Sequence, residues 1–202
     1  IFTESHAFRA DASYVELTNM GTAPVQMAEF KLGKIGPYEP KFNGLEYRFP
    51  ERILQPGESF VMARILDFDQ KMYPKAPDFY DERVTQEEYW EFADIQMHSA
   101  EANGIPGIDS VSEGYKIMDV WNGREGWYLE YHLANGDSAV VDQVGGVFDN
   151  NDRNFDQAYD VAGVEDATGN SILIRKYSIK QGNIDFANAR GVGLDDSEWM
   201  PV

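Results

Sequence analysis

Short runs of strictly alternating side chains, cut by glycine and proline, constrain this chain more than any other feature. In SYVELTNMGTAPVQMAEFKLGKI (13–35), Val15 and Leu17 alternate with Tyr14, Glu16 and Thr18. That is the period of two of a half-buried strand, whose successive side chains point to opposite faces. Asn19 and Gly21 supply turn chemistry. Beyond the turn Val25 and Met27 share one parity while Phe30 and Leu32 take the other, so the register is reset between Met27 and Phe30. A β-bulge or a strand passing from one sheet to another does this.

The pattern recurs. Leu45, Tyr47 and Phe49 alternate up to Pro50, and in ILQPGESFVMARI (53–65) Pro56-Gly57 fits a type II turn ahead of a strand with both faces apolar, as an interior strand requires. In GWYLEYHLANGDSAVVDQV (126–144), Trp127, Leu129, Tyr131 and Leu133 face one way and Tyr128, Glu130 and His132 the other, with Asn135-Gly136 as a two-residue hairpin signal. SILIRKYSI (171–179) reads as a further strand, and the tail from Asp185 is irregular around one large anchor, Trp199.

From about 67 to 118 the rhythm changes. TQEEYWEFADIQMHSAEANG (85–104) opens on a capping box, Thr85 with Glu88, places Tyr89, Phe92, Ala93 and Met97 on one face and stops at Gly104 and Pro106. This predicts a helix of about four turns within an insertion. Seven or more strands with one helical excursion predict an all-β chain, residues 1–202 forming a single β-sandwich domain with an α-helical and loop insertion at about 67–118.

Composition narrows the function. A net charge of −18, from 17 Lys and Arg against 35 Asp and Glu, repels phosphate backbones and anionic lipid, so no nucleic acid is expected as partner. The absence of cysteine removes thiol catalysis, thiolate zinc sites and disulfides. No apolar run reaches the roughly 20 residues that span a bilayer, so no direct membrane insertion is expected. The chain begins at Ile1, which reads as a processed protein or as part of a larger polypeptide.

In order, IFTESHA, YVELTNMG, VQMAEFKLGKI, YRFP and ILQPGESFVMA resemble the first half of a lamin tail domain, an immunoglobulin-like β-sandwich. HLANGDSAVVDQV, SILIRK, Asp185-Phe186 and the late Trp199 resemble its second half. The resemblance covers most of the chain outside 67–118 and implies a non-catalytic interaction or structural module of a bacterial cell-surface or secreted protein. Its partner would be a protein or glycan at the cell surface. The helical insertion and the acidity depart from that family's pattern.

Several residues invite chemistry. In FDNNDRNFDQAYD (148–160), Asn150, Asp152, Asn154 and Asp156 occupy alternate positions and, with Asp149 and Asp160 as supplements, could converge oxygens on calcium; the competing reading is a solvated acidic loop, since Phe155 stands where an EF-hand wants glycine. No other cofactor is expected. Asp195, Asp196 and Glu198 make a weaker acidic set. Trp90, Trp121, Trp127 and Tyr128 are read as a platform for a sugar ring or a partner, against the ordinary fate of large aromatics as core. Glu130, between Tyr128 and His132, is the one carboxylate to inspect for glycosidic chemistry. His6, His98 and His132 form no ligand spacing, and the glycines at 145–146 and 191–193 precede no helix signature. Carbohydrate binding, with or without calcium, and a hydrolase with its site in the insertion are the alternative functions.

Overall fold

The computed structural model describes residues 2–6, 14–35, 46–65, 93–98, 123, 125–146 and 158–202. Among these residues the chain is built from strands: β1 (Phe2–His6), β2 (Tyr14–Thr18), β3 (Val25–Gln26), β4 (Phe30–Ile35), β5 (Glu46–Arg48), β6 (Ile53–Leu54), β7 (Ser59–Ile65), β8 (Ile95–His98), β9 (Gly126–His132), β10 (Ser138–Val144), β11 (Ile172–Arg175) and β12 (Trp199–Pro201). Two helices of one turn, α1 (Ala167–Asn170) and α2 (Phe186–Ala189), complete it. The all-β expectation holds.

The strands form a six-stranded sheet in the order β12-β11-β1-β2-β7-β8, a four-stranded sheet β10-β9-β4-β5 and the pair β3-β6. One hydrophobic cluster takes side chains from all three: Phe2, Val15, Leu17, Phe60 and Met62 from the first, Leu32, Trp127 and Leu129 from the second, Leu54 from the third. Phe49 meets Phe60 edge-on with centroids 5.3 Å apart, a contact the ring quadrupoles favour.

The register reset has a simple cause. A 3-10 turn, Met27–Glu29, separates β3, which pairs with β6, from β4, which pairs with β9 and β5. The chain changes sheet there, and the extra residues of the turn swap the parity of the apolar positions. At the β9–β10 hairpin Leu133 N–H donates to Asp137 O (2.8 Å) and Gly136 N–H to Leu133 O (3.0 Å), with Gly136 at φ +90°. The connection is therefore a tight turn followed by a left-handed glycine, longer than the two-residue loop expected from Asn135-Gly136.

The helix expected across 85–104 needs correction where it is described. Residues Ile95–His98 are strand β8, running parallel to β7. The fastening is visible: Asp94 N–H donates to Val61 O (2.9 Å), its carboxylate accepts from Val61 N–H (2.8 Å) and pairs with Arg52. Pairing with the sheet edge overrides the local helical periodicity. The rest of the insertion lies outside the described residues.

A buried ionic node joins the sheets. β10 slips register between Val140 and Asp142, so Asp142 stands opposite Leu129 and turns towards the shared core. Its carboxylate lies 2.8 Å from Arg175 Nη1, with side chains 0% and 1% exposed respectively, and also accepts from the N–H groups of Phe2 (2.7 Å), Asn183 (2.8 Å) and Gln143 (3.0 Å). Arg175 Nη2 donates to Glu198 Oε2 (2.5 Å), and the guanidinium lies 4.9 Å from the Trp199 ring centroid. Asn183 Nδ2 closes the circuit on Glu198 Oε1 (2.8 Å). Burying charges is tolerable only with this degree of satisfaction. The node ties β1, β10, β11 and the C-terminal loops together.

Candidate interaction surface

The C-terminal loops stand on that node. Phe186, at the start of α2, is buried between Tyr159 and Trp199, with ring centroids 6.1 and 6.5 Å away. Asp185 caps α2 by accepting from Asn188 N–H (3.1 Å). Glu198 N–H donates to Ala189 O (2.8 Å), and Ala162 N–H to Arg190 O (2.8 Å), so the loops 160–166 and 190–197 are fixed to α2 and to each other.

Each loop is internally braced. Val161 and Val164 exchange backbone hydrogen bonds of 3.1 and 2.9 Å around a tight turn in which Ala162 (φ 54°) and Gly163 (φ 81°) are both left-handed. Asn-Gly is the pair such a turn prefers, and a left-handed alanine costs on the order of 1 kcal/mol. Asp160 Oδ1 accepts from Asp166 N–H (2.9 Å). In the second loop the Asp196 carboxylate accepts from Val192 N–H (3.1 Å) and Gly193 N–H (2.8 Å). These bonds hold its carboxyl below the usual carboxylate range, with the Lys176 ammonium a smaller contribution.

The bracing presents apolar side chains to solvent. Val192 is 86% exposed, Leu194 59% and Val164 42%. The loops abut, since a Cβ built on Gly163 would lie 3.0 Å from Val192 O. Around this apolar knuckle the same loops carry Asp160, Glu165, Asp166, Asp195 and Asp196. Two cations neighbour it, both engaged with backbone carbonyls: Arg190 Nη1 with Asp160 O (3.4 Å) and Lys176 Nζ with Leu194 O. Exposed apolar side chains among charged ones on two joined loops suit a protein contact surface.

The residues singled out from sequence fall elsewhere. Trp127 is buried completely and Tyr128 almost so, and the surface-platform reading does not fit where these two lie. Trp127 belongs to the shared core, opposite Lys34 of β4. Tyr128 lies on the other face of the four-stranded sheet, across Gly33; a Cβ there would be 1.9 Å from Tyr128 Cζ, so only glycine fits under the ring. Its hydroxyl donates to Glu46 Oε1 (3.1 Å), and Lys31 Nζ meets Glu46 Oε2 at 3.0 Å. Burial first, then the neighbouring Glu46 and Glu130 carboxylates, push the Tyr128 phenol well up from its ordinary value; burial alone raises Tyr47.

Glu130 accepts from Ser138 Oγ (2.7 Å) and lies 3.3 Å from His132 Nε2, at ion-pair distance but outside hydrogen-bonding geometry. The serine bonds to the carboxylate and not to the imidazole, so this trio has no nucleophile and base in contact. Asp149, Asn150, Asp152, Asn154 and Asp156, and likewise Trp90 and Trp121, lie outside the described residues. Among the described residues no group of acids and histidines is placed to hold a metal ion, and no helix is long and apolar enough to cross a membrane. Sequence reasoning missed the knuckle. Its only signals were GVG at 191–193 and the acids after it, read for phosphate and metal chemistry. Comparison of the chain with protein-family models, with curated proteins and with solved structures finds no match.

Proposed function

We propose that this chain is a non-catalytic interaction module, an immunoglobulin-like β-sandwich of lamin-tail type that serves attachment or assembly within a larger bacterial cell-surface or secreted protein. The observation that carries the reading is the exposure of Val164, Val192 and Leu194 on two joined loops that also carry five acids. A rigid anchor loses little conformational entropy on binding, and the left-handed Ala162 is strain of the kind that gathers at contact sites. The partner that fits is a protein surface with a shallow apolar depression and basic residues around it, attracted by a chain of net charge −18.

The test is a photoreactive amino acid placed at Val192, with a control at Asn135 on the β9–β10 hairpin, in the full parent protein in its native cell. Support would be one partner captured from position 192 and not from 135, lost when Leu194→Asp is added and weakened by salt. The same products from both positions, or capture indifferent to Leu194→Asp, would overturn the reading.

One observation favours the carbohydrate-binding alternative. Tyr177 is 83% exposed beside a cleft of about 530 Å³ whose lining includes Glu16, Thr18, Ser59 and Lys176. A glycan array with Tyr177→Ala as comparison separates the two readings: glycan binding lost in that variant would favour the sugar.

A further inference from the structure

A second concavity, unconnected with the knuckle, runs between the loop 19–26 and strands β9 and β10. It encloses about 510 Å³, within the range of small-molecule sites. Its floor is core: Met27, Leu54 and Leu129 are buried members of the shared cluster, and Phe30, Tyr131 and Val141 rise half-buried beside them. Asn19 Nδ2 donates to Ala23 O (2.8 Å) and its Oδ1 accepts from Gly21 N–H (3.0 Å), which brace the loop internally, while Nδ2 also donates to Leu54 O (2.9 Å), which ties it to β6.

Those bonds also decide what the groove can hold. Two of its polar side chains are engaged within the fold: Asn19 as described, and Gln26 Oε1 on the N–H groups of Ala28 (3.3 Å) and Arg52 (2.9 Å). A peptide laid here would bury backbone groups beside side chains already committed to other partners. An alkyl chain needs none. Two charged residues line the groove, Glu29 on the 3-10 turn and Lys180 on the rim. Lys180 has no acid partner among the described residues; its ammonium lies over the Tyr177 ring, 3.3 Å from the centroid. In a chain with twice as many acids as bases, an unneutralised ammonium beside an apolar groove is a place for an anion. Gly182 sets the rim close, since a Cβ there would fall 2.1 Å from Val141 O, which brings the 180–182 segment directly against β10.

We propose that this groove binds a medium-chain alkyl carboxylate, its chain lying on Met27, Leu54 and Leu129 and its carboxylate meeting Lys180. The chemistry joins a tail driven by apolar burial to a head driven by one exposed charge pair, and the tail dominates.

Isothermal titration of the full chain with hexanoate, octanoate and decanoate, each below its micellar concentration, tests it. Decanoate is expected to bind with one-to-one stoichiometry, and affinity to fall roughly fourfold for each methylene removed. Lys180→Gln should weaken decanoate about twofold to fivefold, the reach of an exposed charge pair, and leave octanol unchanged. Val25→Trp, at the half-buried wall, should abolish decanoate binding while Lys180→Gln, a surface change, keeps the fold intact for comparison. Absence of saturable decanoate binding, decylamine binding as tightly as decanoate, or affinity untouched by both variants would overturn the proposal.

Discussion

Asp142→Asn is the sharpest probe of how this fold is held. The carboxylate receives Arg175 on both oxygens at 2.8 Å, Phe2 N–H on Oδ2, and Asn183 and Gln143 N–H on Oδ1. An amide in its place keeps one oxygen. In either rotamer its NH2 faces Arg175 and at least one backbone donor, so a buried N–H loses its acceptor at about 1–3 kcal/mol. The guanidinium meanwhile loses its most deeply buried counter-charge and keeps only Glu198, whose side chain is 21% exposed. Together these approach the roughly 3–5 kcal/mol measured when one partner of a buried pair is removed. For a chain of this size that is a fall in Tm of about 6–20 °C. Thermal unfolding followed by circular dichroism, with amide exchange at Phe2, gives the answer. Lys180→Gln is the control, because Lys180 makes no ion pair among the described residues and surface changes usually shift stability by no more than about 0.5 kcal/mol. A Tm within 2 °C of the parent, with the Phe2 amide still protected, would refute the reasoning.

Three further outcomes follow from the same contacts. Gly33→Ala must drive the Tyr128 ring off the sheet, with a loss of about 1–3 kcal/mol and a changed near-ultraviolet dichroism; an unchanged tyrosine signal would contradict the contact. The Asp196 carboxyl is held below its ordinary 3.8, so it stabilises the 191–196 loop above that pH and the benefit is lost as pH falls through the lowered value. A carbon-detected titration of Asp196, with amide exchange at Val192 and Gly193 rising over the same interval, checks it; a midpoint at or above 3.8 counts against. The Tyr128 phenol is raised above its ordinary 10.0, so its stabilisation is full below that pH and declines as pH rises beyond it. Ultraviolet titration should show a late tyrosine component above pH 10, and Tyr128→Phe should remove it.

Alternation made the strands legible because it is a local property. Val15 and Leu17, and Trp127 and Leu129, declared their faces and all are core. The slip between Met27 and Phe30 announced a change of sheet, and a 3-10 turn performs it. The node was illegible for the complementary reason. In AVVDQV every position but Asp142 and Gln143 is apolar, so alternation assigns Asp142 no face; its burial against Arg175 depends on the pairing with β9, whose register shifts between Val140 and Asp142. Strand β8 was misread as helix because its pairing with β7 and the grip of Asp94 on Val61 are contacts at distance. The knuckle escaped because exposed valines and a leucine in separate loops carry no periodicity, and the loops are joined by contacts at distance, Ala162 N–H to Arg190 O and Gly163 against Val192.

Hydrogen exchange of the full chain, free and bound to the partner captured from position 192, tests the central claim most directly. The account predicts new protection confined to residues 160–166 and 190–197, with the β9–β10 hairpin unchanged. Protection centred instead on the hairpin or the outer face of the four-stranded sheet, with the two C-terminal loops exchanging as before, would contradict it.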